Sequence, residues 1–236
     1  MRLVQWALAA ALLLCSADSA HALFEVNPPT GWSAGRIYVT TRGDNTIWVV
    51  YLTGKTGSGT CTWTKIGNTT DLFQRTRIHG SSWGDEIRVL SGISTAFICN
   101  EGIGPVNVVD MKLEIYSWGG IDLVEIEGTW PSLQVHGGSG NDFIMIEGQA
   151  YSLDGDDGDD ALIARSVNDV STSVSMFGGN GADLFCAYEP PVLVMDGGPG
   201  ADARWGFAPT MISIANLAVK GDCDAGRDFI IDELFH

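Results

Sequence analysis

The chain is predicted to be an all-β parallel β-solenoid, a β-roll or right-handed β-helix with a cap at each end. Three observations predict it. A six-residue loop, rich in glycine and ending in aspartate, recurs at intervals near 20 residues. Apolar residues alternate with period two on both sides of the loops. Sustained helical periodicity is almost absent beyond the first 22 residues.

The loops are aligned on their last residue. GGSGND covers 137–142, GDDGDD 155–160, GGNGAD 178–183 and GGPGAD 197–202. The closing aspartates Asp142, Asp160, Asp183 and Asp202 are 18, 23 and 19 residues apart. Weaker copies lie upstream: SWGGID ends at Asp122, and GSSWGD ends at Asp85. EGIGPV (101–106) keeps two glycines but has Val106 in the acid position. A repeat of this period marks stacked units, because one unit cannot bury its own apolar face.

The flanks agree with the loops. Before them come Leu113 and Ile115, Leu133 and Val135, Val174 and Met176, Leu193 and Met195, with Phe97 and Cys99 before the loop that lacks the acid. After them come Ile87 and Val89, Val124 and Ile126, Ile144 and Ile146, Leu162 and Ala164, Phe185 and Ala187. Period two is the strand period. Each unit therefore reads strand, loop, strand and variable return. The solenoid is expected over 80–202, with the best repeats at 137–202. Residues 23–79 read as an N-terminal cap or degenerate coils. Residues 203–236 read as a C-terminal cap, since Arg204 takes an inward slot and an open stack must be covered.

Composition narrows the function. The chain carries 13 Lys+Arg against 29 Asp+Glu, a net charge of −16. That balance disfavours nucleic acid, which needs a basic face, and adsorption to an anionic membrane. Hydrophobic residues are 45% and charged ones 18%, so a folded chain is expected. Residues 1–22 read as a signal peptide: Arg2, an apolar run from Val4 to Leu14, and an Ala20-His21-Ala22 cleavage site. The run is too short for a membrane span, so the protein is expected to be exported, to the periplasm, the cell surface or the medium. Beyond it stand Cys61, Cys99, Cys186 and Cys223. An even count in an oxidising compartment suggests up to two disulfides, with three pairings open.

Glycines let the loop backbone turn sharply and aim carbonyl oxygens inward. Calcium takes six to eight oxygen ligands from carboxylates and carbonyls. One loop offers too few, but two loops stacked one coil apart can enclose an ion. Four good loops leave three gaps, so up to three calcium ions are expected. Asp156, Asp157 and Asp159 add negative charge to the second loop.

These loops resemble the glycine- and aspartate-rich nonapeptide G-G-x-G-x-D-x-U-x of RTX (haemolysin-type) calcium-binding proteins. The resemblance is strong over 137–202 and faint over 80–126. It implies a parallel β-roll, with calcium held by Asp142, Asp160, Asp183 and Asp202 and by carbonyls of Gly137, Gly140, Gly155, Gly158, Gly178, Gly181, Gly197 and Gly200. Asp157 is a further candidate ligand. The chain departs from the family in two ways. The alternate nonapeptide is lost in IEGQAYSLD (146–154), so sites are expected on one edge only. The 23-residue interval implies a looser return over 166–174.

Other chemistry is weaker. An EF-hand over 154–165 fails, with Gly158 and Arg165 at ligand positions. GSSWG (80–84) matches G-x-S-x-G, but a strand pattern follows Ser82 where a nucleophile elbow needs a helix. His79 and His136 share one slot before their loops and read as a surface ladder. The alternative function is a β-helix polysaccharide-active enzyme or carbohydrate-binding adhesin. Its acids would be drawn from residues such as Asp110, Glu125 and Glu147, and its sugar platforms from Trp48, Trp63, Trp83, Trp118, Trp130 and Trp205. The expected partners are calcium and, outside the cell, a polysaccharide or cell surface.

Overall fold

A computed structural model describes residues 23–28, 36–41, 47–55, 61–69, 75–89, 112–129, 132–149, 152–165, 174–188, 192–205, 213–215 and 218–221. The described residues form strands, turns and irregular backbone, with no helix. In chain order the first strands are β1 (Phe24–Val26), β2 (Arg36–Thr41), β3 (Ile47–Lys55), β4 (Cys61–Thr69), β5 (Arg75–His79) and β6 (Glu86–Val89). The middle strands are β7 (Lys112–Tyr116), β8 (Leu123–Thr129), β9 (Ser132–Ser139), β10 (Phe143–Gln149), β11 (Ser152–Asp157) and β12 (Ala161–Arg165). The last are β13 (Val174–Phe177), β14 (Leu184–Tyr188), β15 (Val192–Asp196), β16 (Ala203–Trp205), β17 (Ser213–Ala215) and β18 (Ala218–Gly221).

The strands make two sheets. The first has the order β1-β5-β7-β9-β11-β13-β15-β17, and the second β18-β16-β14-β12-β10-β8-β6-β2-β3-β4. From β5 onward, alternate strands fall in alternate sheets and every pairing is parallel. This is a parallel β-solenoid. A coil runs up one sheet, turns through the glycine loop, returns along the other sheet and steps on.

Period two sets the core. Ile115, Val135, Leu153, Met176 and Met195 face inward from the first sheet, and Val124, Ile144, Leu162 and Phe185 from the second. They stack in columns: Ile144 pairs in register with both Val124 and Leu162, and Phe185 pairs with Leu162. A parallel ladder places like residues over like, so an apolar slot repeated in sequence becomes one continuous core. Leu193, Phe97 and Cys99 lie outside the residues whose side chains are described. Of the four cysteines only Cys186 has a described side chain, buried beside Phe143, Ala161 and Ile163.

Two expectations need correction or sharpening. EGIGPV was expected to be a rung, yet β5 pairs directly with β7 and β6 with β8. The loop ending at Asp85 therefore stacks on the one ending at Asp122, and 101–106, outside the described residues, lies within a long connection. At the N-terminal side, β1 and β2 pair in parallel with β5 and β6 as one more coil. β3 and β4 then extend the second sheet as antiparallel strands. At the other end β17 and β18 add a rung beyond Asp202. Arg204 stands in register with Phe185, in the inward column as expected. Residues 1–22 and 222–236 lie outside the described residues.

Phe185 is the bulkiest fully buried side chain. Phe185→Ala is expected to lower unfolding free energy by about 3–5 kcal/mol through transfer loss and cavity formation. Ser175→Ala, on the outer face, should change it by less than about 0.5 kcal/mol. Denaturant midpoints check both, and a loss under about 1 kcal/mol at Phe185 would contradict the core described above.

Candidate metal centre

The loop geometry explains each glycine of the motif. At the first position the obstacle is space. A Cβ on Gly137 would stand 2.5 Å from Asp142 Oδ2 and 2.8 Å from the Gly155 carbonyl oxygen of the next coil. The same crowding recurs at Gly155 with Asp160 Oδ2 and the Gly178 carbonyl, and at Gly178 with Asp183 Oδ2 and the Gly197 carbonyl. At the second and fourth positions the obstacle is φ. Gly138 and Gly140 have φ of 104° and 127°, and Gly179 and Gly181 have 99° and 144°. L-residues with a Cβ rarely adopt that region. The carbonyls of Gly140, Gly158 and Gly181 lie against the Cα of the fourth-position glycine one coil on, namely Gly158, Gly181 and Gly200.

The closing aspartates form a buried column. Asp122, Asp142 and Asp183 are fully buried, and Asp85, Asp160 and Asp202 are nearly so. In chain order, the first five each donate the backbone N–H to Oδ1 of the aspartate one coil later. The distances are 2.6 Å for Asp85 to Asp122, 2.8 Å for Asp122 to Asp142 and 2.7 Å for Asp142 to Asp160. Asp160 to Asp183 and Asp183 to Asp202 are both 2.9 Å. The 23-residue interval therefore leaves the column step unchanged, and the extra length falls in the return.

The second oxygen is different. Oδ2 of Asp122, Asp142, Asp160, Asp183 and Asp202 is buried without a hydrogen-bond partner. Asp85 Oδ2, at the start of the column, accepts from the Ser81 amide at 2.5 Å. In the middle coils the partnerless oxygen and a carbonyl oxygen of the next coil both crowd the Cβ position of the first-position glycine. A buried carboxylate oxygen without a donor is costly. A positive centre between the two oxygens removes that cost, and it is either a proton on the carboxylate or a cation.

The proton option is visible in the acidities. Burial pushes Asp122 and Asp160 up to about 8, Asp142 to about 7 and Asp183 to about 6. The accepted backbone N–H in each case works the other way, and neighbouring carboxylates add to the rise. The cation option fits the donor set: carboxylate and carbonyl oxygens only, which is calcium chemistry rather than zinc chemistry.

The column brings together the four aspartates expected from the loops and the carbonyls of Gly155, Gly178 and Gly197. It also contains Asp85 and Asp122, which had been seen only as weak copies; the sixth-position alignment was the signal that places them. Asp157 is not part of it. Its side chain is exposed, and its Oδ1 accepts from Asn180 Nδ2 at 2.7 Å.

The outer face of the first sheet carries the expected histidine ladder, with Tyr116 as its middle rung. The rings of His79 and Tyr116 are 5.6 Å apart, and those of Tyr116 and His136 are 4.8 Å apart and nearly parallel at 3°. Trp118 Nε1 donates to His79 Nδ1 at 2.9 Å, so His79 carries its proton on Nε2 and donates it to Glu25 at 2.7 Å. Buried Glu114 accepts from Arg77 at 2.9 Å and pairs with Arg75. Ser82 is exposed between β5 and β6, so no helix follows it. Glu125 is ion-paired to Arg88 at 3.0 Å. No helix among the described residues is long and apolar enough to cross a membrane.

Without divalent cations the column sets a pH dependence. Folded-state values lie above the ordinary 3.8, so from about pH 4 to 8 the folded chain binds more protons than the unfolded one. Stability must then fall as pH rises through that window. His136, raised chiefly by its hydrogen bond to Asp156, acts in the same direction. Denaturant midpoints in chelator should drop steadily from pH 4 to 8; a flat or rising profile would mean that the column ionises at no cost.

No family model matches the chain, and no curated protein or solved structure shows significant similarity to it.

Proposed function

We propose that this protein is an exported calcium-binding solenoid of the RTX type. Calcium ions between stacked loops neutralise the aspartate column and stiffen one edge of the coil stack. The observation that carries this reading is the run of buried, partnerless Oδ2 atoms at Asp122, Asp142, Asp160, Asp183 and Asp202. At Asp142, Asp160 and Asp183 this oxygen and a first-position glycine carbonyl of the next coil both border the space that a side chain on Gly137, Gly155 or Gly178 would fill. Asp142, Asp160 and Asp183, with the carbonyls of Gly155, Gly178 and Gly197, would hold the ions. Bound calcium supplies the positive charge that these oxygens lack, so binding and folding are coupled. The apolar run and A-x-A site of residues 1–22 support export.

Calorimetric titration of calcium into the metal-free protein, with circular dichroism alongside, tests the reading. Two or three bound ions and a gain in β signal are expected. Affinity should rise between about pH 6 and 8, because bound protons must leave before calcium enters. Asp160→Asn keeps the side-chain shape and removes the charge at a residue bordering two gaps. It should weaken calcium binding about tenfold or more, a loss of ~1.4 kcal/mol or above. Equal binding by the variant and the native chain would sink the shared-column reading.

A second reading, carbohydrate binding, has one observation of its own. Trp83 and Trp118 are 59% and 58% exposed on two stacked loops, with Ile121 exposed beside them. Flat aromatic rings held in solvent suit sugar faces. Retention on polysaccharide matrices that is lost in Trp118→Ala would favour it.

A further inference from the structure

We propose that His136, Asp154 and Asp156 form a second metal site, on the outer face of the first sheet, selective for a first-row transition cation of the zinc type.

Two adjacent strands build it. His136 on β9 pairs in register with Asp154 on β11, and Asp156 lies two residues further along, opposite Gly138. Period two turns both aspartates outward, while Gly155 between them faces the inner column. The two sites therefore sit back to back on one strand and share no side chain.

The three side chains converge. One ligand atom from each lies within 4.8 Å of the others. His136 Nδ1 is 3.6 Å from Asp156 Oδ2 and 3.9 Å from Asp154 Oδ2. Tetrahedral zinc with bonds near 2.0 Å needs donor atoms roughly 3.3 Å apart, so both carboxylates must draw in on His136, and on each other from within 4.8 Å, to complete three corners. Each residue is about one-third exposed, which leaves an approach for the ion and a position for water.

The donors are also held. The imidazole lies flat on Tyr116 at 4.8 Å, which limits its rotation. The Asp156 amide donates to Asp154 Oδ1 at 3.3 Å, leaving Oδ2 to face His136. Asp156 has φ of 69°, at a loop position where Gly138, Gly179 and Gly198 stand in other coils. The nitrogen donor decides the cation. Calcium takes oxygen ligands, whereas imidazole with carboxylates suits zinc and its neighbours.

The test is a titration of the full chain with Zn2+, and with Co2+ as its coloured substitute. It compares the native protein with His136→Gln and Asp154→Asn, each checked for unchanged circular dichroism. Native protein should bind one more Zn2+ than either variant, with affinity at that site reduced by tenfold or more. Co2+ should give visible bands of a low-coordinate nitrogen and oxygen site that vanish in His136→Gln. The number of calcium ions bound should be the same in all three proteins, so failure of this site and failure of the inner column are separately visible. Equal Zn2+ binding in the native protein and His136→Gln, or none in the native protein, would overturn the proposal and leave His136 a plain ion-pair partner.

Discussion

Everything on the loop edge depends on one hydrogen bond repeated along the stack: a backbone N–H of one aspartate donated to Oδ1 of the aspartate in the next coil. The bond does two things. It locks the register of successive coils at the loop, where strand pairing alone would leave slack. It also draws a carboxylate into the interior and satisfies only half of it. The second oxygen is then buried with nothing to donate to it. A stack held this way is stable with a proton or a cation at each step, and is strained when the column is charged and bare. The device that aligns the coils thus creates the demand for a positive partner.

Much of this was legible in the sequence because a parallel solenoid has a simple mapping. Each slot of the repeat is one column, so a residue type repeated at one offset becomes a stripe of that type. The core columns at Ile144, Leu162 and Phe185, and the acid column at Asp142, Asp160, Asp183 and Asp202, follow from alignment alone. The mapping fails where a segment merely resembles the repeat. EGIGPV has the right glycines at a plausible interval, yet β5 pairs directly with β7 and β6 with β8, with no rung between them. What it lacks is the acid that would accept the neighbouring amide, and that absence was the informative feature. Asp157 misled for a related reason. Period two would turn Asp157 inward like Gly155, but the strand ends at this residue and its side chain is exposed.

The exceptions to the motif carry their own information. The second loop position has positive φ in five of the six loops that end in an aspartate, and glycine fills it in three. Trp118 and Asp156 take that conformation instead, at φ of 77° and 69°. Conformations of this kind cost about 1–3 kcal/mol and persist where surrounding contacts over-determine them. Both residues have such contacts: the Trp118 indole donates to His79, and Asp156 faces His136 while its carbonyl accepts from the Asn180 amide at 2.8 Å. These two side chains at positive φ mark two places where the loop edge meets the histidine ladder.

That meeting has a mechanical consequence. The strand β11 carries Asp154 and Asp156 outward and Gly155 inward, and the strand before it carries His136 outward and Gly137 inward. Any charge change on one side of these strands is one residue away from the other. Asp156 is among the charges that disfavour ionisation of Asp142 and Asp160. Neutralising Asp156 on the outer face, by His136 or by a cation, therefore lowers the cost of ionising the inner column. An outer site that fills first would make the inner column a better ligand for calcium, and the coupling runs through charge alone, without movement of the coils.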